Sequence, residues 1–298
     1  MLRKLPKPIK PDSSFSSLVD SRMYWPTQRA RFQVVIREGF QKILGIPIEH
    51  IIFRFWEYRL PRSILSENWG LPRRVVERKL NDRLTIYVNP REMIRIRDWR
   101  DLPKRRRPSS SAFIWDGDWD LRRGDLRYGS RYRFISDLMR NREDLTQSHT
   151  FNHFKTYVDQ GSPWSSHHLG ILLDSEERIH DYLSIYLGFI DDMALNGFDQ
   201  RKGKDDIGVA VSRDGTLIKI NRGLHRLAMA QYLGLPLVPV KVKAVHRQWW
   251  EEVTQHTRGA DALERVVQAL QYCTPEQQPG PLDPHGTPEH FSWPVKSV

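Results

Sequence analysis

Apolar positions recur along the chain with two periods. In TQRARFQVVIREGFQKILG, Phe32, Val35, Ile36, Phe40, Ile43 and Leu44 fall at helical spacing, and Gly45 with Pro47 closes the segment. RRVVERKLNDR predicts a second short helix, and LTIYVNP, β-branched and aromatic ahead of Asn-Pro, predicts a strand. Further on, EERIHDYLSIYLGFIDDMALNGF puts Ile179, Tyr182, Leu183, Tyr186, Phe189, Ile190 and Met193 on one face of a long helix ended by Asn196 and Gly197. IGVAVSRDGTLIKI predicts two strands around an Asp214-Gly215 hairpin turn. A helix over NRGLHRLAMAQYLG, a β-branched strand in LVPVKVKAV and an amphipathic helix in ALERVVQALQY follow. From Thr274 a Pro- and Gly-rich tail is expected to be loosely ordered. The pattern as a whole predicts an α+β fold.

Composition changes this picture in two places. Residues 1–110 hold 25 Lys and Arg against 11 Asp and Glu, whereas residues 111–298 hold 22 against 25, so the net charge of +11 belongs to the N-terminal third. Such a block can attract nucleic acid, though most charge runs are solvated surface. PKRRRPSSSA, residues 103–112, has four consecutive cations and no apolar period, and reads as a linker or surface loop. The expected organisation is therefore a basic region at 1–102 (helices plus a strand), the linker at 103–112, a core domain at 113–250, and a helix with a Pro-rich tail at 251–298. Cys273 has no partner for an intrachain disulfide, and no paired Cys/His spacing for zinc occurs. A cytoplasmic location is expected, with no membrane-spanning segment and no secretory signal.

The chemistry concentrates at the helix start in NRGLHRLAMA. A helix N-terminus exposes unpaired N–H groups and the positive end of its dipole. Gly223 would let an anion approach the backbone, while His225 and Arg226 in the first turn, with Leu224 and Arg222 beside them, would complete a phosphate cradle. The same residues could be ordinary helix punctuation. The order long helix, Asp-Gly hairpin, Gly-x-His-Arg helix, Leu-Gly stop and Val-Pro-Val strand resembles the ParB/sulfiredoxin superfamily core over residues 179–247. A narrower resemblance, over residues 84–250, is to ParB-like proteins with a Gly-Asp-Trp-Asp turn, here Gly117-Asp118-Trp119-Asp120, and a Gly-x-His-Arg-Leu-Ala motif. It implies a ParB/sulfiredoxin-like mixed-sheet core with a helical N-terminal extension, and nucleotide phosphates held by Gly223, Leu224, His225 and Arg226. Two positions depart from that pattern: Arg222 stands where Asp is common, and Leu224 where a basic residue is frequent. Leu224 also occupies the place of sulfiredoxin's catalytic cysteine, so thiol reduction is not expected. The helix-turn-helix of DNA-partitioning ParB proteins is not expected in the residues after Val245.

Catalysis on a bound nucleotide would need carboxylates, and Asp116, Asp118 and Asp120 form the densest local group. In an extended strand these three would share one side, suiting a divalent ion; in a tight turn they would cap backbone N–H groups instead. The expected assignment is Asp116 and Asp118 on Mg²⁺, with Asp118, Asp120 and His225 in catalytic roles. Three functions follow as expectations. One is a phosphotransferase or hydrolase using ATP or CTP, with a small-molecule or glycan-precursor acceptor, since the superfamily includes free-amino-acid kinases. The second is a nucleic-acid-binding protein or nuclease using the basic third, and the third a non-catalytic nucleotide-responsive switch.

Overall fold

The computed structural model describes residues 13–40, 45–59, 63–203, 205–220, 222–284 and 290–295. Along the chain these form helices α1 (Tyr24–Phe40), α2 (Ile46–Glu57), α3 (Ser63–Asn68) and α4 (Arg73–Leu80), then strands β1 (Thr85–Val88), β2 (Arg95–Arg97), β3 (Ile114–Trp115) and β4 (Arg123–Asp125). Helices α5 (Ser130–Arg140) and α6 (His149–Asp159), strands β5 (Trp164–Ser166) and β6 (Ile171–Leu173) and helix α7 (Glu176–Asn196) follow. The chain continues with β7 (Ile207–Val211), β8 (Leu217–Lys219), α8 (Leu224–Leu233), β9 (Val238–His246), α9 (Arg247–Thr254) and α10 (Ala260–Leu270). The protein is thus mixed α/β. Among the described residues no helix is long and apolar enough to cross a membrane.

The chain divides into two compact units, the first made of residues 1–42 and 136–192, the second of 43–135 and 193–298. The composition boundaries at 102 and 113 both fall inside the second unit.

In the first unit α7 carries the aromatic face expected from its period. Tyr182, Tyr186 and Phe189 surround Phe15 with ring centroids 5.7, 5.9 and 5.8 Å away. Arg22 bridges Asp20 and Asp174 (2.7 and 2.5 Å), and Asp137 accepts from the amides of His149 and Thr150 at the start of α6. Helix α1 forms as expected, but Phe32 is 65% exposed and Val35 46%, so these two do not form the buried stripe their spacing predicts. Ile43 and Leu44, the end of that stripe, lie outside the described residues.

The second unit is built on a seven-stranded mixed sheet in the order β1-β9-β7-β8-β2-β4, with β3 also paired to β9. Parallel pairs (β7 with β9, β2 with β8, β3 with β9) alternate with antiparallel ones (β1 with β9, β7 with β8, β2 with β4). Central strands of such a sheet are covered on both faces and read as unbroken apolar runs. Accordingly every residue of β7 is buried, as is most of β9. One layer holds Trp115, Trp119, Ala210, Ile218, Ile220 and Ala244, with Trp99 and Leu102 packed against it. The sheet includes β1 and β2, so the basic N-terminal third contributes strands to it. The tail is more ordered than its composition suggests: the Thr274 carbonyl accepts from Leu217 N–H (2.8 Å), Glu276 pairs with Arg123 (2.7 Å), and Trp293 lies under the Arg91 guanidinium (5.5 Å).

Candidate functional site

The start of α8 follows from its sequence. Gly223 takes φ +83°, a left-handed conformation that a residue with a Cβ rarely adopts, and ends the loop that leaves β8. A Cβ there would lie 2.9 Å from the Asp206 carbonyl oxygen and 3.0 Å from Ile207 Cα. The space left by the missing Cβ of Gly223 is therefore taken up by the backbone entering β7.

The side chains around it separate. Arg226 stacks on Phe198 (4.1 Å to the ring centroid) and donates to the Asp199 carbonyl, so its guanidinium anchors the 198–203 loop. Arg222, 72% exposed at its side chain, pairs with Asp205 at 2.8 Å. His225 packs edge-on against Phe134, at 5.9 Å between centroids. Burial, and then the nearby Arg131 cation, push its pKa down to about 4. At neutral pH it is an uncharged imidazole and adds no positive charge to a cradle. Leu224 lines a cavity described below.

Of the three aspartates, Asp118 and Asp120 meet on one nitrogen, Arg213 Nη2, while Asp116 pairs with Arg247. Gly117, at φ +85°, breaks the extended geometry that would align them. Asp116, 60% exposed, binds Arg247 Nε at 2.6 Å; Asp118, 68% exposed, meets Arg213 Nη2 at 3.2 Å. Asp120 is fully buried and accepts from the Arg213 amide (2.9 Å) and from Arg213 Nη2 (2.8 Å). Burial alone raises its carboxyl, but the side-chain and backbone hydrogen bonds from Arg213, with His246 nearby, outweigh that and hold it below the usual range. His246 accepts from Gln248 N–H at Nδ1 (3.1 Å) and thus donates from Nε2 to the Gly117 carbonyl (2.9 Å), which locks the turn. Each carboxylate already has an arginine, and among the described residues no group of three or more His, Cys, Asp or Glu can hold a metal ion. The structure thus shows Asp116, Asp118 and Asp120, expected as the metal and catalytic carboxylates, in ion pairs with Arg247 and Arg213.

Nor does the fold bring the two motifs together. Gly223 touches Ile207, where β7 begins, whereas Arg213 with Asp118 and Asp120 lies beyond Val211, where β7 ends. A five-residue strand, about 17 Å long, separates them.

What the fold does bring together is a second helix start. A cavity of about 170 Å³ lies between the first turns of α5 and α8, with Ser130, Arg131, Tyr132, Leu224, Asp125 and Gln231 in its wall. The first intrahelical bond of α5 runs from Arg133 N–H to the Gly129 carbonyl (3.0 Å), so Ser130, Arg131 and Tyr132 carry the amides that the helix itself cannot satisfy. All three residues line the cavity. Asp125, the one carboxylate in the wall, is held by Arg127 (2.6 Å) and Arg95 (3.4 Å), leaving Arg131 to set the sign of the local field. Sequence reasoning missed this start; its signal was Gly129-Ser130 ahead of Tyr132, Ile135 and Leu138 at helical spacing.

Two cations brace the loop that joins β8 to α8. Lys219 Nζ donates to the Arg222 carbonyl (2.7 Å) and Arg97 Nε to the Ile220 carbonyl (2.6 Å), with the Arg97 guanidinium stacked 3.4 Å over Trp99. Lys219 is fully buried; burial and then Arg97 push its pKa down to about 7. Ile96, its partner across β2 and β8, also lines the cavity.

Compared with family models, curated proteins and solved structures, the chain matches none.

Proposed function

We propose that the second unit binds a phosphate-bearing small molecule, a nucleotide such as ATP or CTP, with its anionic end in the cavity between α5 and α8. The observation that carries this reading is the convergence on one cavity of all three first-turn residues of α5 with Leu224 from the start of α8. Two helix starts and Arg131 supply N–H donors and positive potential without any base-specific group. A cavity of about 150 Å³ holds a benzene-sized guest, so this one takes a phosphoryl end rather than a whole nucleotide. The order β7, β8, α8, β9 is in keeping with a ParB/sulfiredoxin-like core, and phosphotransfer or hydrolysis with Mg²⁺ is the activity that this resemblance adds. In this form of the proposal Arg131 replaces Arg226 as the phosphate ligand.

The test is a thermal-shift series with ATP, ADP, CTP, GTP and inorganic phosphate, with and without Mg²⁺, followed by a phosphate-release assay. A ligand that binds only the folded state raises its apparent stability. Binding is expected in wild type and reduced about tenfold or more in Arg131→Gln, the loss of one charge-assisted contact. Absence of any shift in wild type overturns the proposal. Shift without phosphate release leaves the non-catalytic switch as the form in which it stands.

A second reading has its own observation. Lys104, Arg105 and Arg106 are exposed and make no ion pair among the described residues, a surface suited to nucleic acid. Binding through it would weaken steeply with salt because counterions are released, and a flat salt response counts against it.

A further inference from the structure

A second cavity, of about 140 Å³, lies far from any phosphate chemistry in character. It is walled by Glu49 and Ile52 of α2, Ser66 of α3, Trp69, and Ser109 with Ser111 from the loop that precedes β3. Its polar side chains are one carboxylate, three serine hydroxyls and the Trp69 indole. Glu49 Oε2 is shielded from solvent and has no hydrogen-bond partner among the described residues. Among the described residues Ser66 Oγ makes only a long bond to the Ile52 carbonyl (3.4 Å), and the Ser109 and Ser111 hydroxyls bond one another at 2.8 Å, Ser109 Oγ also accepting from Ser111 N–H (3.3 Å). The Trp69 indole, 72% exposed, stands at the same wall, and Leu71, Pro72 and Ala112 supply the apolar remainder.

A carboxylate that has lost water on one oxygen and gained no donor is costly, and the cost is recovered when a cation or N–H donor enters beside it. Aromatic faces attract the same species through their negative quadrupole. A neutral donor would satisfy a lone pair without balancing the charge, and an anionic guest would be repelled. The hydroxyls accept from N–H groups, which a quaternary ammonium does not have.

We propose that this cavity is a binding site for a primary alkylammonium group, with the ammonium on Glu49 and the serine hydroxyls and its alkyl stem along Ile52, Leu71 and the face of Trp69. The group can come from a free polyamine or from a lysine side chain, whose terminal four carbons and nitrogen have the same shape. The site is independent of the phosphate cavity, and neither proposal needs the other.

Calorimetric titration with n-butylammonium and with butan-1-ol, its uncharged counterpart, tests the assignment. The ammonium is expected to bind wild type at least about tenfold more tightly than the alcohol, and Glu49→Gln to lose that margin. Glu49→Gln removes an unpaired charge, so its urea midpoint is expected to equal or exceed that of wild type, which separates a lost ligand from a lost fold. Trp69→Leu is expected to weaken the ammonium more than the alcohol. Arg131→Gln should leave butylammonium binding unchanged. Spermidine and Nα-acetyl-lysine methylamide, compared in the same titration, distinguish the free from the peptide-borne source. Equal binding of ammonium and alcohol, or undiminished binding by Glu49→Gln, overturns the proposal.

Discussion

Arg213 holds Asp120 with its backbone and its side chain at once: the amide donates to Oδ2 at 2.9 Å and Nη2 to Oδ1 at 2.8 Å, around a carboxylate with no exposure to solvent. The pair ties the 117–120 turn to the β7–β8 hairpin. Removing one member of a buried pair strands the other, so Asp120→Ala is expected to lose about 3–5 kcal/mol. Asp118→Asn, at a 68% exposed side chain, should stay within about 0.5 kcal/mol of wild type. Urea unfolding checks both, and equal losses would show that the turn does not depend on the buried carboxylate.

Gly223 provides the second prediction. Alanine there must take a left-handed φ, costing about 1–2 kcal/mol, and must displace the Asp206 carbonyl oxygen from 2.9 Å. A loss of at least about 2 kcal/mol is expected, the strain and the contact acting together. Gly188, inside α7 with nothing within 4 Å of its missing Cβ, is the opposite case. Gly188→Ala should gain up to about 1 kcal/mol from helix propensity. Thermal unfolding of the two variants reads the contrast.

Elements with a sustained apolar period or an unbroken apolar run were legible in the sequence. Helix α7, the β7–β8 hairpin, α8, β9 and α10 all fall where the period places them. Helix α2 was not, and its apolar stripe does not coincide with the face that packs: Ile48, Ile51 and Phe55 are exposed while Phe53 and Trp56 are buried. The helix start at Gly223 was legible as punctuation, but its purpose was not. Whether a glycine makes room for a ligand or for its own chain depends on where Asp206 and Ile207 lie, and that is set by β7 pairing. For the same reason the sequence could not show that the aspartate turn and the Gly-x-His-Arg motif sit at opposite ends of one strand. Strand direction decides it.

Lys219 is a buried cation whose neighbour across β2 and β8, Ile96, lines the proposed phosphate site, and its pKa fixes a sign. The folded value is about 7 against 10.5 for the free side chain, so between those two values the unfolded chain binds more protons than the folded one. Stability must then rise with pH across that window. Lys219→Met, which keeps the stem and removes the titration, is expected to flatten the rise. Urea midpoints at pH 7, 8.5 and 10 measure it, and an unchanged slope would mean that Lys219 is not the group responsible.

His225 gives a sharper case, because its titration reports on the cavity beside it. Its folded pKa of about 4 lies below the free value of 6.5, so stability rises with pH between about 4 and 6.5 and is level above, by an upper limit of about 3 kcal/mol. His225→Leu should remove that dependence. The shift has two causes, burial and the Arg131 cation, and a bound anion acts on the second. Negative charge placed on Arg131 favours the imidazolium, so saturating ATP or inorganic phosphate is expected to move the His225 titration upward. The binding must then take up protons near pH 5. Ring-proton chemical shifts followed against pH, with and without ligand, read this directly. A ligand that raises thermal stability yet leaves the His225 curve in place binds somewhere other than the start of α5.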